Sequence, residues 1–345
     1  MATILEHEIF EQQAALRRLI DAELRPLQEL TRRLRPEFDS VLIAARGSSD
    51  NAARYAQYLL GMRNHLPVAL AAPSLFTLYA SPPHYRRTLV LAISQSGRSP
   101  DILAVVEEAR RQGNPTLALT NDPHSPLAQA AQAVLALHAG PEKAVAATKT
   151  YTCSLFALAL LSATLGEDEA DLDALRRVPA WVGEAAHLME GALARVERYR
   201  YIDRCAVIGR GYNYSTAFEI ALKVKELCQI AAEPYSSADF RHGPIATARD
   251  GFPVLLVDPQ GKASADLEEL AITLRSDGAE VIAISDRPER YASAEVHLPL
   301  PAGVPEWLSP LVAVVPGQFF ALRLAEAKHL DPDRPADLHK ITETY

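Results

Sequence analysis

Seven residues, Ser94-Gln95-Ser96-Gly97-Arg98-Ser99-Pro100, bring together three hydroxyls, a carboxamide and a glycine. Ser99 suits a helix N-cap, and Pro100 suits the first helical position, where its missing N–H would be unpaired anyway. A helix beginning there aims free backbone amides and the positive end of its dipole into the loop. Gly97 lets the backbone turn closely around a ligand. The chemistry this predicts is a neutral cradle for a phosphate. A serine-rich turn with an ordinary helix cap is the plainer alternative. Gly47-Ser48-Ser49 offers further hydroxyls for a sugar or for the same phosphate.

These loops need strands to hold them. An apolar run starts at Ser40 and continues through Val41, Leu42, Ile43, Ala44 and Ala45. A second covers Thr88 to Ile93 and leads into the serine loop. Uninterrupted apolar runs, each followed by a glycine and a helix, predict buried parallel strands. A helix over Pro100–Gln112, a strand over Thr116–Thr120 and a turn at Asn121-Asp122 follow. The second half repeats the order: strand Ala206–Ile208 into Gly209-Arg210-Gly211, strand Pro253–Val257 into Asp258-Pro259-Gln260-Gly261, strand Val281–Ile284 into Ser285-Asp286. Gly47 to Gly97 is 50 residues, as is Gly211 to Gly261; Gly97 to Gly113 is 16, and Gly261 to Gly278 is 17. Matching order at matching spacing predicts an internal duplication. The second copy loses the hydroxyl pair and gains a negative charge at Asp258, so one copy is expected to bind phosphate and the other not. Alternating strands and helices predict an α/β fold with parallel sheets, whose ligands sit beyond the carboxyl ends of the strands. Ahead of the first strand, Ile9, Leu16, Leu19, Ile20, Leu24 and Leu27 form an apolar stripe that predicts helix over residues 4–35. Pro26 is expected to kink or divide it, and Pro36 to end it.

Composition narrows the function. The 345 residues are 48% hydrophobic and 23% charged, ordinary for a globular protein with room for two cores. A formal charge of −8 without any basic run argues against a nucleic-acid partner. The cysteines Cys153, Cys205 and Cys228 form no CxxC pair, which suggests reduced thiols in the cytoplasm. Glu6, Glu8 and Glu11 near the start, with no apolar core, point away from an export signal. Cys153–Leu165, read as the longest near-apolar stretch, is too short for a bilayer and is expected to be a buried helix, so no membrane is implied. Ten histidines include no HxH or HExxH spacing, so neither a metal nor another cofactor is expected.

With these motifs in view, the chain resembles the isomerase domain of glutamine–fructose-6-phosphate aminotransferase and the related glutaminase-lacking glucosamine-6-phosphate deaminases, a tandem sugar-isomerase (SIS) family. The resemblance runs from Glu8-Ile9-Phe10-Glu11-Gln12 through Arg46-Gly47-Ser48-Ser49, the serine loop, Val145-Ala146-Ala147-Thr148-Lys149, Glu219 to Glu226 and Arg241-His242-Gly243-Pro244. It ends at Pro335-Ala336-Asp337-Leu338-His339-Lys340. It implies two tandem SIS domains, each a parallel sheet between helices in a flavodoxin-like three-layer sandwich: a helical segment 1–35, domains 36–180 and 181–330, and a tail 331–345 over the active site. It also implies roles. Ser94, Gln95, Ser96 and Ser99 match phosphate contacts; Ser49, Val145 and Ala147 match sugar contacts. Glu226 matches the acid/base between C1 and C2, and Lys223 its neighbour. His242 matches the ring-opening histidine, given by the partner subunit of a homodimer. Lys340 matches the tail lysine that forms a Schiff base with the ketose.

General chemistry agrees with these roles. Moving a carbonyl between C1 and C2 needs a carboxylate shielded from water, with a raised pKa. Glu219, Lys223 and Glu226, at helix offsets 0, 4 and 7, share one face; without context, Glu219 and Lys223 also fit a surface ion pair. Histidine donates and accepts protons near neutrality. A lysine nucleophile needs a partly dry pocket, although Lys340 by position also fits a solvated tail residue. Ala147 departs from the family's common serine, and Arg98 from the aminotransferase's glutamate, which leans toward the deaminase branch. With only residues 1–3 ahead of the helix over 4–35, no preceding glutaminase domain is expected. The expected reaction is glucosamine 6-phosphate plus water to fructose 6-phosphate plus ammonia. Alternatives are galactosamine 6-phosphate or a fructosyl-amine 6-phosphate as substrate, glucosamine 6-phosphate synthesis with ammonia from elsewhere, and a silent sugar-phosphate sensor.

Overall fold

The computed structural model describes residues 2–336, 338 and 340; Asp337 and His339 of the tail motif lie outside the described residues. Contacts divide the described residues into two compact units: residues 14–142, 149–177 and 340 in one, and residues 2–13, 143–148, 178–336 and 338 in the other.

The chain begins with α1 (Ile4–Phe10), whose Thr3 cap accepts the Glu6 amide, and α2 (Gln12–Leu34). Pro26 sits inside α2 without dividing it; the break falls at Glu11 instead. A short 3-10 turn containing Pro36 then closes the segment.

The first unit contains β1 (Ser40–Ala45), α3 (Ser48–Asn64), β2 (Val68–Leu70), α4 (Ser74–Thr77), β3 (Thr88–Ile93), α5 (Pro100–Arg111), β4 (Thr116–Thr120), α6 (Pro126–Ala130), β5 (Ala133–Ala136) and α7 (Lys149–Gly166). α8 (Glu169–Leu188) then runs from this unit into the next. The sheet is parallel in the order β2-β1-β3-β4-β5. β3 and β4 are buried along their whole length, which explains their unbroken apolar character. Leu42, Ala44, Val90, Ala92 and Ala118 on one sheet face pack with Ile102, Val105, Val106 and Ala109 of α5. α7 is buried from Lys149 to Thr164, so its apolar residues have no preferred face.

The second unit repeats the plan with β6 (Arg204–Gly209), α9 (Tyr214–Cys228), β7 (Ala231–Ser236), α10 (Ser237–Arg241), β8 (Pro253–Val257), α11 (Ser264–Ser276), β9 (Glu280–Ser285), β10 (Val296–Pro299) and α12 (Ser309–Ala327). Its parallel sheet reads β7-β6-β8-β9-β10, the same order once β6 is matched to β1. Leu267, Leu270 and Leu274 of α11 cover Ala206, Ile208, Val254 and Leu256, as α5 covers its own sheet. α12 packs against α9, and Gly317 is what allows it: a Cβ there would meet Ile220 Cγ1 at 2.3 Å. The helix over Glu306–Ala327, not Cys153–Leu165, is the apolar segment long enough by composition to cross a membrane, yet 94% of its apolar window is buried. Its hydrophobicity is that of a core helix.

The three cysteines are unpaired and buried, and burial pushes each thiol up.

Candidate functional site

In the order 2-1-3-4-5 the chain leaves β1 to one side and β3 to the other, so the loops after these two strands diverge and open a crevice. Ala45 pairs with Ile93, which sets Arg46-Gly47-Ser48-Ser49 and the serine loop level with each other at that point. Gly97 has φ +62°, and a Cβ would meet Ser125 Oγ at 2.1 Å; both the backbone conformation and the space exclude a side chain. Its amide donates to Ser94 Oγ at 3.2 Å. The expectation that Ser99 caps α5 is met in position only: it is the N-cap residue, but its hydroxyl makes no cap bond and instead lies 3.5 Å from Ser94 Oγ. Among the described residues, the amides of Ser96 and Ser99 have no hydrogen-bond acceptor. The loop thus keeps hydroxyls and amides available at a helix start, which is what binding an oxyanion requires. Ser49 lies in the first turn of α3, partly exposed.

An ion pair ties the two loops together. Arg46 Nε donates to Asp101 Oδ2 at 2.7 Å, and Asp101 is buried in the first turn of α5. The duplicate keeps it: Arg210, before Gly211, donates to Asp266 Oδ2 of α11 at 2.9 Å. There the network grows, because Asp266 also accepts from Ser237 and from Arg241 Nη1 at 2.7 Å, both on α10. Burial pushes the Asp266 carboxyl up, but the Ser237 hydroxyl and the two arginines together hold it below the usual carboxylate range. His242 follows Arg241 directly, exposed at the end of α10.

At the second copy of the phosphate loop the protein supplies its own anions. Lys262 N donates to Glu306 Oε1 at 2.9 Å, and a Cβ on Gly261 would meet Glu306 Cδ at 2.5 Å. Asp258, in the place of Ser94, is buried and accepts from Arg287 at 2.5 Å and from the Tyr291 hydroxyl at 2.7 Å. Its Oδ1 has no partner. Burial pushes this carboxyl up to about 6, against the lowering influence of Tyr291 and Arg287.

On α9, Lys223 is 1% exposed, with Nζ 3.5 Å from Glu219 Oε1 and 2.5 Å from Glu226 Oε2. Glu219 is 0% exposed and Glu226 24%. The surface ion pair is therefore excluded, and the two carboxylates differ: Glu219 is sealed, while Glu226 reaches solvent. A buried ammonium between two carboxylates, one of them open, is an arrangement able to hand a proton to a ligand and take it back.

Val145 and Ala147 are partly buried in a segment fixed by Glu8, whose carboxylate accepts from Lys143 N at 2.5 Å and Ala144 N at 3.2 Å. In the other unit, Lys340 Nζ is 2.7 Å from Glu142 Oε2. The tail lysine is ion-paired, with its side chain 25% exposed. Sequence reasoning missed Glu142, Asp101 and Asp266, and it read Glu8 as a charge and as part of a motif but gave it no role. The repeated spacing of Arg46 to Asp101 and Arg210 to Asp266, 55 and 56 residues, was a signal available for two of them. Among the described residues no group of histidines, cysteines and carboxylates could hold a metal.

The SIS domain model matches residues 37–163 and 199–326. Glutamine–fructose-6-phosphate aminotransferase [isomerizing] of Thermus thermophilus is 35% identical over 354 aligned positions, covering 96% of this chain and 57% of that protein. The protein of the same name from Pyrococcus horikoshii is 32% identical, with 96% and 56% covered. The chain thus spans a little over half the length of these relatives. Among solved structures, the C-terminal domain of glucosamine-fructose-6-phosphate aminotransferase from Francisella tularensis superposes with a TM-score of 0.89 at 26% identity, covering 97% of this chain and 99% of that one.

Proposed function

The chain belongs to the SIS-domain family, as a tandem pair homologous to the isomerase domain of glutamine–fructose-6-phosphate aminotransferase, and on that premise we propose that it is a phosphosugar isomerase converting glucosamine 6-phosphate and water into fructose 6-phosphate and ammonia. The observation that carries this reading is the buried Lys223 between Glu219 and the solvent-reaching Glu226. Burying Lys223 and Glu219 carries a desolvation cost that their pairing only partly offsets, and buried charges beside a solvent-reaching carboxylate cluster at functional sites.

In the proposed reaction Ser94, Gln95, Ser96 and Ser99 hold the phosphate, and Ser49, Val145 and Ala147 contact the sugar. His242, supplied by the second chain of a homodimer, moves the proton that opens the ring. Glu226 takes the proton from C2 and returns it to C1, while the C1 oxygen gains a proton and the amino nitrogen gives one up, leaving a hydroxyl at C1 and an imine at C2. The neutral amine of Lys340 adds to C2 and ammonia departs; water then adds to the lysine imine, giving the ketone and restoring the amine. Lys223 holds the Glu226 carboxylate in register. The enzyme is proposed to work in the cytoplasm, without a cofactor.

Ammonia release from purified protein given glucosamine 6-phosphate tests the proposal. Release should fall by about 10² to 10⁴ in Glu226→Gln. Wild-type release no faster than that variant would overturn it, and galactosamine 6-phosphate and fructosyl-amine 6-phosphates run alongside separate the substrate alternatives.

A further inference from the structure

Glu142 lies in the loop ahead of α7, and its side chain is 0% exposed. Oε1 accepts the Thr150 amide at 3.1 Å, and Oε2 accepts the Thr150 hydroxyl at 2.8 Å. Thr150 is in the first turn of α7, whose amides have no partner within the helix and whose dipole favours a negative charge. The carboxylate is thus oriented by a helix that is itself locked in the core. Oε2 also accepts from Lys340 Nζ at 2.7 Å, across 198 residues of sequence.

A lysine near a chain end has many rotamers and no reason to hold one. We propose that Glu142 is the positioning residue for Lys340: it holds the tail ammonium against the start of α7 and takes its proton once the sugar is bound, so that the neutral nucleophile is freed already in place. This rests on the reading of Lys340 as the imine-forming group. A backbone carbonyl would also accept from an ammonium, but a carboxylate accepts more strongly.

Two measurements on the full chain keep the anchor and the chemistry apart. The first is acetylation of Lys340 by acetic anhydride, followed by peptide mass. In Glu142→Gln, which keeps an acceptor for Thr150, Lys340 should acetylate several-fold faster than in wild type while other lysines are unchanged. The second is ammonia release. Here kcat should fall roughly a hundredfold, the scale for a misplaced reacting group, with KM for the sugar phosphate little changed. Glu142→Asp, which keeps the charge and draws it back by one methylene, should fall between the two in both assays; this guards against a folding defect in the glutamine variant. Unchanged Lys340 labelling in Glu142→Gln overturns the anchor. Faster labelling with unchanged kcat overturns its role in the reaction. Lys340→Ala with full ammonia release would instead sink the reading of the lysine, whatever the labelling shows.

Discussion

A lysine that is 1% exposed needs compensation, and α9 provides it from both sides. The size of that compensation can be measured. Lys223→Met leaves Glu219 sealed in the core without its cation, which should destabilise the protein by roughly 3–5 kcal/mol. Glu219→Gln keeps a polar contact and leaves Lys223 paired with Glu226, so its cost should be lower, about 2 kcal/mol. Urea unfolding of both variants checks the order; equal small losses would mean that water reaches the lysine. The sequence contained the helical spacing of this trio, because 0, 4 and 7 is a property of any helix. It did not contain the burial, since the Glu219–Lys223 face of α9 is covered only after other elements, α12 and β7 among them, pack against the helix. Glu142 was hidden for a related reason. A carboxylate that caps a helix is expected about three residues before the amide it accepts, whereas Glu142 is eight before Thr150 and returns only through the fold of the intervening loop.

At the level of elements, the strand-to-helix loops were the most legible part of the chain. Their glycines recur at fixed spacing: Gly47 and Gly211 share a positive φ, +55° and +58°, whereas Gly261 lacks the +62° of Gly97. α2 was less legible, because a proline in a helix signals a break whose cost the packing of the whole helix can outweigh. The divergence of the two phosphate loops carries its own pH signature. Asp258 has its pKa raised by burial from 3.8 to about 6 in the folded chain. Between these values the unfolded chain has lost the proton while the folded one keeps it. Stability contributed by this group is therefore present below pH 3.8, declines as pH rises toward 6 and is flat above. The rise corresponds to about 3 kcal/mol. Asp258→Asn should remove that decline, so the difference in Tm between variant and wild type should move in the variant's favour from pH 4 to pH 7. A constant difference over this range would show that the folded carboxyl titrates normally.

For the whole molecule, the duplication decides how many ligands a chain can hold. One loop keeps its amides and hydroxyls available, while its twin has Glu306 on the Lys262 amide and Asp258 where Ser94 would be. Under the proposed function, one sugar phosphate per chain is expected. An enzyme with one such site per chain can still require two chains, and His242 bears on this, since it is exposed at the end of an α10 that Asp266 braces through Ser237 and Arg241. A braced but exposed imidazole suits presentation to another surface. Under the proposed homodimer, each site joins Glu226 of one chain to the histidine of the other. His242→Ala and Glu226→Gln proteins are then each inactive alone. Mixed in equal amounts and allowed to exchange, half the dimers pair one of each, and in those one of two sites has both groups intact. Ammonia release should recover to about a quarter of wild type. Exchange confirmed by mass, with activity still absent, would place histidine and glutamate within one chain and end the shared-site proposal.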